Sequence, residues 1–147
     1  MNQSALAHLD HRLLVTVCQL LTALQFDPCQ QAALLGWDAT ALQDVLARTA
    51  PSQQSADQLE RLLLTVELVR SLHGAYDNAA EWWLQRPLPT RPFNGQTPLA
   101  YLARGELAAL QATVQYLDDV LRGRIPPSAE AIALAEALPQ PEIDLEN

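Results

Sequence analysis

The chain has no lysine at all: its nine cations are all arginine, set against seventeen acids for a net charge of −8 over 147 residues. A nucleic-acid binder that works through bulk electrostatics needs a basic surplus to displace counterions, so any DNA contact here must rest on a few local groups. Arg12 and Arg48 are the only cations of residues 1–50, against Asp10, Asp27, Asp38 and Asp44. Cysteine is also scarce. Cys18 and Cys29 are too few for a disulfide scaffold and have no zinc-type spacing, so both read as small apolar packing residues. No apolar run approaches the roughly 20 residues that span a bilayer. The N-terminus, with His8, Asp10, His11 and Arg12 among its leucines, lacks the pattern of a secretory leader. The expectation is a soluble cytoplasmic protein. Catalytic signals are missing as well. His8, His11 and His73 have no neighbouring acid–nucleophile set, and no phosphate-cradling glycine loop or metal cluster is present, so no enzyme and no cofactor are expected.

What is abundant is aliphatic side chain at helical spacing, within a hydrophobic content of 49%. Leu6, Leu9, Leu13, Val17, Leu20 and Leu24 predict one face of a first helix, widened by Leu14 and Leu21. Asp27-Pro28 starts a second helix, with Asp as cap and Pro at the first helical position. Ala32 and Gly36 then sit where a helix pair needs a small crossing residue and a positive-φ turn. Asp38 caps the next helix, which carries Leu42 and Val45 inward and Thr40, Gln43 and Asp44 outward. Two readings stand side by side. In one, Thr40 and Gln43 reach base edges and Arg48 holds a phosphate. In the other, Asp38 and Asp44 repel DNA and the pair is an α-hairpin of a helical core.

The polar stretch Ala50–Ser55 is the best internal boundary. Beyond it Leu59, Leu62, Leu63, Val66, Val69 and Leu72, with Leu64 and Leu68, predict a long helix buried on more than one side. It is either a subunit interface or a central helix, and Gly74 is placed to cap it. Trp82 and Trp83 end a short helix and point about 100° apart. Either one is core and the other, Trp83, a contact residue, or the following loop buries both. Phe93 pins that loop, Asn94-Gly95 turns it, and Thr97-Pro98 opens another helix. After Gly105, Leu107, Leu110, Val114, Leu117 and Leu121 line a last amphipathic helix that closes on Gly123, with Arg122 and Arg124 at its negative dipole end. Pro126–Asn147 holds five acids and no cation, read as a short helix, Ser128–Leu138, and an acidic tail. The tail is either frayed or orders on a basic partner through Ile143 and Leu145.

The order Trp83-Leu84, Pro87, F-x-G-x-x-P-L over Phe93–Leu99, Gly105, V-x-x-L and Arg122-Gly123 resembles the toxin-binding domain of the Xre/MbcA/ParS family of bacterial antitoxins. The resemblance extends to Asp27–Arg48, where that family carries a helix-turn-helix. It implies an all-α protein in three parts. Residues 1–50 would be a helix-turn-helix-like unit, 54–125 a helical toxin-binding domain, and 126–147 a short helix with the tail. It further implies a homodimer that neutralises a toxin, typically an NAD-consuming protein of the RES class, and represses its own operon. The expected DNA contacts are Thr40, Gln43 and Arg48. The expected toxin contacts are Trp83, Arg91, Phe93, Arg122, Arg124, Ile143 and Leu145. The alternative is a stand-alone interaction module of the same fold without DNA binding.

Overall fold

A computed structural model describes the backbone of residues 3–48 and 54–124 and the side chains of 11–48 and 54–124. The expected helix after Pro127, Ile143 and Leu145, and the side chains of Leu6 and Leu9, lie outside the described residues. The described chain is all-helical: α1 Gln3–Ala23, α2 Pro28–Leu35, α3 Ala39–Leu46, α4 Ala56–Tyr76, a 3-10 turn Asp77–Ala79, α5 Ala80–Leu84, α6 Pro98–Ala103 and α7 Leu107–Leu121.

Local chemistry sets most of these boundaries. Asp27 accepts the Gln30 amide at 2.8 Å and its own amide donates to Gln30 Oε1 at 2.8 Å, a reciprocal capping box ahead of Pro28. Gly36 ends α2 at φ 76°, and a Cβ there would lie 2.8 Å from Arg61 Cδ, so the turn needs glycine for space as well as conformation. Asp38 caps α3 through the Ala41 amide, as expected. Ser55 and Gln58 form a second capping box at the start of α4. Thr97 accepts from the Ala100 amide at 3.0 Å, with Pro98 next.

The helices surround one apolar core. Leu14, Val17 and Leu21 of α1, Leu34 and Leu35 of α2, Leu42 of α3, Leu62, Leu68 and Leu72 of α4, Leu102 of α6, and Leu110 and Leu117 of α7 share it. It runs across the expected boundary near residue 50. Arg61 Nη1 on α4 donates to the Gly105 carbonyl before α7, while Leu121 at the far end of α7 lies over Gly74. Helices α4 and α7 therefore run in the same direction, and the segment 77–106 carries the chain back along the bundle.

The structure revises several details of the sequence reading. The buried stripe of α1 is Leu14, Val17, Cys18 and Leu21, and Leu20 faces outward. On α4 the core takes Leu62, Thr65, Leu68, Val69 and Leu72, leaving Leu59 and Leu63 exposed. Leu121, expected inward, is also exposed. Adjacent leucines offer two faces about 100° apart, and only the neighbouring helices choose between them. Thr65 and Thr113 can be buried because each hydroxyl donates to the carbonyl four residues earlier, at 2.7 and 2.8 Å. Helix α4 does not stop at Gly74. It continues to Tyr76, and the residue that follows in left-handed backbone is Asp77 (φ 46°). Gly74 instead gives room for Leu121, whose Cδ2 would be 3.3 Å from an added Cβ. Cys18 is buried, but Cys29, in the first turn of α2, is exposed and is not a packing residue.

Candidate partner-binding surface

The second half of α4, the segment behind it and α7 are joined by an aromatic cluster. Tyr76 stacks on Trp83 with ring centroids 5.0 Å apart, and Phe93 meets Trp83 edge-on at 5.7 Å. Phe93 also meets Tyr101 and Tyr116 edge-on, at 5.5 and 5.2 Å. Such geometries set the ring quadrupoles favourably and add to the burial of large apolar area. Burial, with Tyr116 nearby, raises the pKa of the Tyr76 phenol above its usual value. The loop that brings Phe93 inward is closed by its own backbone. Asn94 and Gly95 both have positive φ, the Gln96 amide donates to the Phe93 carbonyl at 3.0 Å, and Leu88 and Gln96 pair at 3.1 Å.

This cluster decides which of the expected toxin contacts face solvent. Trp83 is 2% exposed and Phe93 1%, so both are interior residues and their expected place at a contact surface is corrected. Tyr76 and Tyr116 stack on Trp83, and Phe93 meets three rings edge-on. Of the adjacent pair it is Trp82 that keeps some exposure, packed on the edge of the core with the Arg86 guanidinium 4.8 Å from its ring centroid. Arg91 is exposed on the loop. Arg122 and Arg124 are exposed past the end of α7 and pair with Asp118 at 3.0 Å and Asp119 at 3.3 Å, which softens their charge. Tyr101 and Tyr116 were not expected at a surface, yet each packs on Phe93 while remaining part-exposed. A tyrosine between apolar neighbours on an amphipathic helix was the available signal, since its polar tip favours the rim of a core.

Thr40 and Gln43 are exposed on α3, and Arg48, also exposed, follows its end. These three expected DNA contacts belong to one short helix and its exit, apart from the aromatic cluster. Arg48 Nε donates to His11 Nε2 at 3.1 Å, a partnership between α1 and the end of α3 that the sequence did not suggest. Among the described residues no three His, Cys, Asp or Glu side chains gather as a metal ion would require, and no helix is long and apolar enough to cross a membrane.

The unit therefore hides Trp83 and Phe93 around one loop and leaves Arg91, Arg122, Arg124 and the rims of Tyr101 and Tyr116 outside. Residues 68–123 match the family model of the antitoxin Xre/MbcA/ParS C-terminal toxin-binding domain. Over that segment the chain is similar to the toxin-binding domain of the Xre/MbcA/ParS antitoxins. No curated protein and no solved structure gave a match to the chain.

Proposed function

We propose that the protein is the antitoxin of a type II pair and neutralises a RES-class toxin by steric cover. The observation that carries this reading is the coincidence of the matched segment, 68–123, with the aromatic-centred unit of α4 to α7. Its outer side offers Trp82, Arg91, the part-exposed rims of Tyr101 and Tyr116, and Arg122 and Arg124. Aromatic and arginine side chains are the types that dominate binding energy at protein interfaces. The net charge of −8 favours fast docking on a basic partner. Thr40, Gln43 and Arg48 on and after α3 support operon repression by a homodimer, in which the exposed Leu59 and Leu63 of α4 would be covered.

Co-expression with the product of the adjacent open reading frame tests the main reading. That product arrests growth alone, is silenced by this protein, and co-purifies with it. A harmless neighbour, or one that stays toxic and unbound, overturns the proposal.

A second reading, a protein-interaction module without DNA binding, is favoured by one observation: two acids, Asp38 capping α3 and Asp44 on it, are exposed beside Thr40 and Gln43. Mobility shifts of the upstream promoter over a salt series separate the two. A retarded band that weakens with salt supports repression, and no band at any salt leaves the partner-binding role alone.

A further inference from the structure

The arginines of this chain are unevenly engaged. Arg61, Arg70, Arg104, Arg122 and Arg124 each face a carboxylate at 2.8 to 3.4 Å. Arg12 and Arg48 have no such pairing among the described residues, and they are the only two cations of residues 1–50. The fold nonetheless brings both to one place. An open recess of about 330 Å³ between α1 and the exit of α3 is lined by His11, Arg12, Val15, Thr16, Leu46 and Arg48. Two like charges converging on a recess in a protein of net charge −8 repel each other, and an anion between them relieves that repulsion.

The Arg48 side chain is held in place. Its Nε donates to His11 Nε2 at 3.1 Å, and His11 is only 8% exposed. Its backbone sits in the left-handed region at φ 61°, with its amide on the Val45 carbonyl at 3.0 Å. Tethered by Nε, the guanidinium keeps its two terminal nitrogens as a planar fork, the geometry that grips two oxygens of one phosphate. The Thr16 hydroxyl is spent on the Arg12 carbonyl at 2.9 Å and serves as wall, so the donors are the two guanidinium groups.

Val15 and Leu46 also border a second recess of about 280 Å³, where Gln19 and Gln43 stand with Thr22 and Cys18, and where the Gln31 amide nitrogen is spent on the Phe26 carbonyl and the Thr22 hydroxyl. A cationic end, an aliphatic waist and an amide-lined extension match a ligand with a phosphate head and a small polar remainder. Recesses of this volume lie at the lower end of small-ligand sites. From this we infer that the groove between α1 and α3 is a binding site for a small phosphate-bearing anion, a phosphomonoester of about mononucleotide size, held by Arg12 and Arg48 with His11 as the positioning residue. This site is independent of the toxin-binding reading.

The test is a proton–nitrogen correlation NMR titration of the full chain at constant ionic strength, with inorganic phosphate, with adenosine monophosphate and with a short DNA duplex, against chloride. Saturable shifts at His11, Arg12 and Arg48 with either small anion support the site. Arg12→Gln and Arg48→Gln should each weaken that binding about tenfold, the effect of losing one charge-assisted contact. Arg70→Gln, at an ion-paired arginine on α4, should leave it unchanged. Absence of saturation with both small anions overturns the site, as do shifts that persist in both Arg12→Gln and Arg48→Gln. Binding of the duplex without either small anion also overturns it and leaves the groove as a contact to a DNA backbone.

Discussion

Arg61 Nη1 donates to the carbonyl of Gly105 at 2.8 Å, across 44 residues of sequence. The same guanidinium meets Asp57 at 2.9 Å on its own helix, and its stem fills the space beside Gly36 at the end of α2. One side chain thus ties α2, α4 and the entry to α7. Arg61→Ala leaves the Gly105 carbonyl short of its charged donor and opens a gap beside Gly36. Urea unfolding should show a loss of about 2 kcal/mol. A midpoint within error of the parent would show that the three elements hold together without it.

Two glycines should respond in opposite directions. Gly36 has φ 76° and no room for a Cβ, so Gly36→Ala should destabilise by about 2 kcal/mol or more. Gly74 is helical, and the only close atoms are the tip of Leu121, which is 48% exposed and free to turn aside. Gly74→Ala should therefore stabilise by up to about 1 kcal/mol through helix propensity. Thermal melts of the two variants decide this. A destabilised Gly74→Ala would mean that the contact with Leu121 outweighs propensity.

The paired tryptophans and the loop phenylalanine separate folding from recognition. Phe93→Ala empties the centre of the aromatic cluster and should cost about 3–5 kcal/mol, with loss of near-ultraviolet circular dichroism. Trp82→Ala removes a partly buried ring that packs on the edge of the core, so it should cost less stability than Phe93→Ala, about 1–2 kcal/mol, while weakening toxin capture about tenfold or more. Calorimetric titration with the purified toxin reads the second effect. Unaltered affinity would remove Trp82 from the interface.

The two thiols should differ sharply. Burial pushes the Cys18 thiol up to about 11 from 9.0, whereas Cys29 is exposed. A disulfide reagent at pH 8 should label Cys29 quickly and Cys18 only on unfolding. Because the folded-state value of Cys18 is raised, the folded protein holds its proton more tightly than the unfolded chain. The contribution of Cys18 to stability should therefore be constant below about pH 9 and fall as pH rises from about 9 to about 11. Tyr76, raised as well, extends that fall to higher pH. Cys18→Ala should flatten the first part of the curve in a pH series of denaturant midpoints.

Features set by local chemistry were legible in the sequence. Asp27-Pro28, Gly36, Asp38, Thr97-Pro98 and the turn at Asn94-Gly95 act within a few residues of themselves, so their roles follow from residue type and spacing. The facing of the helices was not legible. Leu13 and Leu14, Leu20 and Leu21, and Leu62 and Leu63 are adjacent pairs, and which member is buried depends on helices distant in the chain. The same ambiguity governs Trp82 and Trp83, where the ring expected outside is the one stacked on Tyr76. Gly74 misled for a related reason: a glycine that ends a helix and one that admits a neighbour look alike until the neighbour is seen. The recess of His11, Arg12 and Arg48 depends on a contact 37 residues apart, for which neither end carries a local signature.

The path of α4 bears on how the matched segment could be moved between proteins. Residue 68 falls in the middle of that helix, and Leu62 and Thr65, a turn or two earlier, are fully enclosed by the rest of the bundle. A cassette excised at 68 would begin with a severed helix and lose Arg61, the tether at the mouth of α7. A graft opening at Gln54 would keep the Ser55 cap and the whole helix, though it would still bare the side of α4 that α1 and α2 now shelter. Moving the segment into another chain would thus succeed only where the recipient supplies helices able to close over that side.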